Sequence, residues 1–242
     1  MTIPDTPNVR KALDAIQALK GRRVVIKPMA ESSRQLGSLA QHHDYPDRHE
    51  IYLGDVLQEQ ALVHELLHAL LREEKYPDVD HADRSRIPKG FEGYADDVAE
   101  VFANTLDHQA VYLRMESDFD LDLEPYHRHH VEGRLRVLLD NPGSFANHNN
   151  ILTEILMGLD YFLWGKDGPR VAARLTELNL DAGGCCQAIH EEVQKIGFSS
   201  PEQLRRVGEA IRQRIIEYAR GHAVDARLIS VWENLMIHIP EG

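Results

Sequence analysis

Residues 61–71 read ALVHELLHALL. Wound as an α-helix, this stretch is apolar nearly all the way round, through Ala61, Leu62, Val63, Leu66, Leu67, Ala69, Leu70 and Leu71. A helix without a polar face is buried on all sides. The fold must therefore wrap this segment. It must also give His64, Glu65 and His68 strong partners, because buried imidazoles and carboxylates are costly without them.

The spacing suggests what such a partner is. His64-Glu65-Leu66-Leu67-His68 has the form HExxH. Positions four apart lie one turn apart on one helix face, so both imidazoles can reach a tetrahedral ion at about 2.0–2.1 Å. Glu65 is rotated by about 100° from His64. It stands beside the ion, where it can accept a proton from an attacking water. The chain has 14 His and 20 Glu, so a shuffled sequence would contain HExxH in roughly one case in fifteen. The plainer alternative is a buried helix whose histidines bond to backbone carbonyls.

A catalytic zinc site has three protein ligands and an open position. Residues 88–100 read PKGFEGYADDVAE, with Glu92 and Asp96 four apart near the start of the next helix. Together with HELLH, the EGYAD stretch resembles the gluzincin (thermolysin-like) metallopeptidases, whose HExxH helix is followed by a second helix carrying E-G-x-A-D. The resemblance spans about residues 60–104. It implies a zincin-like core in which His64, His68 and Glu92 bind Zn2+, Glu65 is the general base, and Asp96 orients a zinc-bound histidine. It also implies that the strand HEIYL, just before the motif helix, pairs with an extended substrate. Glu100, Asn104 and His108 form a neighbouring stripe on the second helix. Glu100 and His108 are thus alternative third ligands. The segment AEVFANTL loosely resembles the HExxH proteins that cleave repressors.

Composition excludes other classes. The net charge is −12, which repels phosphate backbones and anionic lipid heads. No Lys/Arg stripe offsets it, so nucleic-acid and membrane partners are not expected. A peptide or protein substrate is expected, neutral or basic rather than anionic. The start, MTIPDTPNVRKALDA, lacks the apolar run of a secretory leader. Cys185 and Cys186 are adjacent and cannot form a disulfide framework. A reduced, cytoplasmic setting is expected, with the two cysteines either a vicinal thiol pair for a soft metal or, more plainly, two small apolar residues on a helix.

Along the chain, periodicity predicts a helix over 8–20, a strand over 22–30, a polar loop over 31–48 and a strand over 49–53. Asp55 and Gln58 form a capping-box pattern, opening a helix over about 56–74. Residues 75–90 read as a loop, and a long helix follows over about 91–115. Further helices are predicted near 125–140, 147–164, 168–178, 182–196 and 200–220. The end, ARLISVWENLMIHI, fits helix or strand equally. The fold class is α+β and predominantly helical: a small N-terminal β-sheet, two long helices carrying the HExxH/Glu site, and a helical C-terminal half. The chain reads as residues 1–118 and 119–242, either as two domains or as one continuous body.

Other candidate residues are less specific. His127, His129 and His130 fit a metal site or a solvated helix start. His42, His43 and His49 lie in or beside the loop before the motif helix. Tyr94, Tyr112, Tyr161 and Tyr218 are candidate donors to a developing oxyanion. Three functions follow. One is a zinc-dependent metallopeptidase. Another is a non-catalytic zincin-like regulatory or binding protein with a structural metal or none. The third is a different hydrolytic or metal-dependent reaction on a small molecule.

Overall fold

The structure is a computed structural model and describes residues 5–19, 21–29, 40–54 and 59–240. It is predominantly helical with a small mixed sheet. The chain divides into two compact units. The first comprises Met1–Lys75 with Val111–Tyr126, and the second Tyr76–Ala110 with His127–Gly242. The division is interleaved in sequence, unlike a single cut at 118/119. None of the described helices is long and apolar enough to cross a membrane.

In the first unit, helix α1 (Pro7–Ala18) starts with Thr6 as N-cap, its side chain accepting from Val9 N, and with Pro7 in the first turn. Both features are standard helix-start chemistry. Three strands follow: β1 (Arg23–Pro28), β2 (Ala40–Tyr45) and β3 (Arg48–Leu53). The sheet order is β1-β3-β2, with β1 parallel and β2 antiparallel to β3. The segment QHHDY, expected in a loop, is therefore strand. Its polar side chains hid it, and the free edge of β3 supplies its hydrogen bonds. β3 is the central strand, paired on both sides, so HEIYL has no open edge to offer a substrate.

Strand β3 sorts its side chains by the period of two. Glu50 lies on one face, where Lys27 Nζ (2.5 Å), Arg48 Nε (2.6 Å) and Tyr52 Oη (2.5 Å) surround its carboxyl. The bond from Lys27, then those from Tyr52 and Arg48, hold its pKa down at about 2. His49, Ile51 and Leu53 are buried on the other face. The motif helix α2 (Glu59–Glu73) packs there, and all of residues 61–71 are buried. The capping box expected from Asp55 and Gln58 lies outside the described residues. The rest of this unit is the last turns of helix α3 (Glu92–Ser117), the link 118–123 and the start of helix α4 (Glu124–Asp140). Arg114 pairs with Glu74 at 2.6 Å, tying α3's end to α2's end.

The second unit has a two-stranded antiparallel sheet, β4 (Asp78–His81) with β5 (Leu235–His238). Residues 75–90 were expected as loop. β4 is four polar-rich residues without a readable alternation, and its partner is over 150 positions away. The ambiguous end resolves into helix α10 (Ala226–Glu233) followed by β5. Asn234 marks the switch: its side chain accepts from Asp83 N (3.1 Å) and donates to Asp83 O (2.8 Å). Between them lie α5 (Pro142–Phe145), α6 (Leu152–Tyr161), α7 (Gly168–Leu178), α8 (Leu180–Ile196) and α9 (Pro201–Gly221). The single helix expected over 147–164 is thus α6 alone, preceded by the short α5. Asn179 caps α8 and Ser200 caps α9, with Pro201 in the first turn of α9. Gly158 lets α6 and α8 close together, since a Cβ there would stand 2.5 Å from Cys186 Sγ. A buried carboxylate, Glu154, is neutralised by Arg134 and bonded by Tyr161 Oη.

Candidate metal centre

Helix α2 holds His64 and His68 on one buried face, with relative exposures of 4% and 5%. Their Nε2 atoms are 3.1 Å apart, and the ring planes are inclined at 70°. Two nitrogens bound at about 2.0–2.1 Å to one tetrahedral ion stand about 3.3 Å apart. The pair is thus already close to ligand spacing. Glu65 is also buried, at 9%, on the adjoining strip of helix.

Aromatic rings wall the site within the same unit. Tyr112, on α3, lies 5.4 Å from the His64 ring, and Tyr126, on α4, lies 5.5 Å from it. Both tyrosines are buried. His42, on β2, stacks on His68 at 6.4 Å with a 10° interplanar angle. Burial, followed by the nearby His68, pushes the His42 pKa down to about 2, so that ring is neutral at ordinary pH. Of the tyrosines singled out in the sequence, only Tyr112 has a described contact with a motif histidine. Tyr94 Oη accepts from Trp232 Nε1 (3.0 Å), Tyr161 is engaged by Glu154 and Arg134, and Tyr218 bonds His148 Nδ1 (2.6 Å). Tyr126 was missed. Its one sequence signal is its place beside the histidines of EPYHRHH.

The third-ligand candidates all lie on α3, in the second unit. Glu92 is exposed at the helix start, and its Oε2 accepts from Gly90 N (2.8 Å). Asp96 is exposed and pairs with Arg84 Nη2 (2.9 Å). Glu100 and Asn104 are exposed as well. His108 is buried at 8%, and its Nδ1 lies 3.0 Å from Asp160 Oδ2, itself buried at 5%. Helix geometry explains the change along the stripe. Each step of four residues turns about 40° past a full circle, so 92-96-100-104-108 winds from solvent into the core. Asp160 was not foreseen. It sits 52 residues from His108 on α6, and its only sequence trace is an acid within the apolar run LTEILMGLDY.

The remaining candidates are placed as follows. His127 is buried, His129 exposed and His130 partly buried, all on α4. Burial pushes the His130 pKa down to about 3, and its ring stacks on Trp164 at 5.6 Å. His42 and His43 are on β2, and His49 on β3. Cys185 and Cys186 form no disulfide. Burial pushes the Cys185 thiol up to about 12 and Cys186 upward as well. Neither is a thiolate at neutral pH, so neither is a ready soft-metal ligand or nucleophile. Compared with protein-family models, curated proteins and solved structures, the chain matches none of them.

Proposed function

We propose that this chain is a zinc-dependent metallopeptidase of gluzincin-like layout, acting on a peptide or protein substrate in the cytoplasm. The observation that carries the reading is the buried His64–His68 pair, with its Nε2 atoms 3.1 Å apart and Glu65 beside it.

His64 and His68 would supply two imidazoles to the ion. A catalytic zinc site takes a third protein ligand, for which the sequence offers Glu92, Glu100 and His108. Of these His108 is the buried one, with its Nδ1 3.0 Å from Asp160 Oδ2.

Zinc at these ligands would polarise a substrate carbonyl and acidify water. Glu65 accepts the proton of the attacking water and delivers it to the leaving amine. Tyr112 or Tyr126 donates to the oxygen on which charge develops. The sheet supplies β2, an outer strand among the described residues, as the edge to which an extended substrate adds.

The test is hydrolysis of a mixed peptide library by wild type and by Glu65→Gln, with zinc measured in both. Cleavage by wild type and none by the variant, at equal zinc, supports the reading. Equal cleavage by both contradicts it.

A further inference from the structure

We infer that the β2–β3 hairpin carries a second divalent-metal site, built from His42, Asp44 and His49. Asp44 and His49 are directly opposite each other across the hairpin. His42 precedes Asp44 by two residues, so all three side chains share one sheet face. That face looks toward α2, where His42 stacks on His68 and His49 Nε2 meets Glu73 Oε1 at 2.8 Å.

The ligand atoms converge. All three lie within 4.8 Å of one another. His42 Nε2 is 3.0 Å from His49 Nδ1, and Asp44 Oδ1 is 3.4 Å from the same nitrogen. Atoms bound to one ion at about 2.0–2.1 Å are separated by about 3 Å. His49 is fully buried. Its Nε2 faces the Glu73 carboxylate, so Nδ1 is the ring atom turned toward a carboxylate oxygen and a second imidazole. A cation joins three such atoms, and the Glu73–His49 bond is the carboxylate support that ligand histidines receive. Arg22 fixes both acids from outside, through Nη1 to Asp44 Oδ1 (2.6 Å) and Nε to Glu73 Oε1 (2.8 Å). Two imidazoles and one carboxylate suit Zn2+ or a neighbouring first-row divalent ion. Asp44 is 38% exposed and opens the site to solvent. The set shares no residue with His64, Glu65 and His68, so it does not depend on the proposed catalytic site.

The experiment uses the full chain, purified without an affinity tag, stripped with chelator and titrated with Zn2+ alone. Stoichiometry is read by elemental mass spectrometry and affinity by competition with a chromophoric chelator. Asp44→Ala alters a partly exposed side chain, and circular dichroism of the metal-free protein checks that it folds. His43→Gln is the control, because His43 lies on the opposite face, against Tyr52 at 5.2 Å. We expect Asp44→Ala to lose one zinc equivalent, or to weaken it by more than about 100-fold. The His43→Gln and His64→Ala proteins should keep that equivalent. This result upholds the hairpin site even if His64→Ala changes nothing and the HELLH reading fails. If Asp44→Ala binds zinc like wild type, with less than about a tenfold change, the hairpin site is overturned. It is overturned equally if wild type binds no zinc, or if one equivalent is lost only in His64→Ala. The contacts of His49 with Asp44 and Glu73 would then serve the fold alone.

Discussion

HELLH on α2 and EGYAD on α3 look alike in sequence: each sets ligand-type residues four apart on a helix. Their surroundings are opposite. His64, Glu65 and His68 are sealed in a helix with no solvent face, whereas Glu92 and Asp96 stand in water and satisfy Gly90 N and Arg84. A buried polar residue needs a partner to exist where it is, and an exposed one does not. Spacing alone does not separate the two. On α3 itself, His108 combines burial with a carboxylate partner, while Glu92 and Asp96 are exposed.

The comparison can be broken most severely at Glu65. Glu65→Gln should lower peptide hydrolysis by about 10²–10⁴-fold while zinc content stays at the wild-type level, read by initial rates and elemental analysis. On the α3 side, Asp160→Asn should cost about 1–3 kcal/mol in urea unfolding, because it takes the carboxylate from the buried His108. Glu92→Gln, Asp96→Asn and Glu100→Gln should each cost less than about 0.5 kcal/mol, since these carboxylates are solvated. A cost above about 1 kcal/mol in any of the three would mean that the stripe is less solvated than described.

Stability gives two further checks. Leu66→Ala, in the fully buried wall of α2, should cost about 2–5 kcal/mol in urea unfolding of the metal-free protein. A cost under about 1 kcal/mol would mean that α2 is less enclosed than described. His130 supplies a pH dependence. Its folded pKa is depressed to about 3 from 6.5, so below pH 6.5 the unfolded chain takes up a proton that the folded chain refuses. Stability should then fall with acidification by up to about 1.4 kcal/mol per pH unit from this group. The contribution is absent above pH 6.5. His130→Phe should flatten the slope by that amount in unfolding curves at about pH 5 and 6.

The legible parts of the fold were those whose cause is local. The all-round apolarity of 61–71 announced a buried helix, and the β-branched run of 23–28 announced β1. Helical periodicity over 182–196 and 200–220 announced α8 and α9. The illegible parts have distant causes. β4 exists because β5 returns to pair with it, and β2 because β3 has an edge to fill. HEIYL was legible as strand but not as the central one, since order in a sheet is a property of partners. Among the candidate residues, spacing singles out His64, Glu65 and His68, and the structure adds that all three are buried. His108 was visible only as the last member of a stripe. Asp160 was hidden because a hydrogen bond across 52 residues leaves no pattern in sequence. Tyr126 was hidden because a wall residue needs only size and position.

The central claim is that the buried His64–His68 pair of α2 holds zinc. The most direct measurement is zinc per chain in tag-free wild type, His64→Ala and His43→Gln, each stripped and reloaded identically. The account predicts that His64→Ala holds one zinc fewer than wild type, while His43→Gln holds the same number. Equal zinc in wild type and His64→Ala would contradict it.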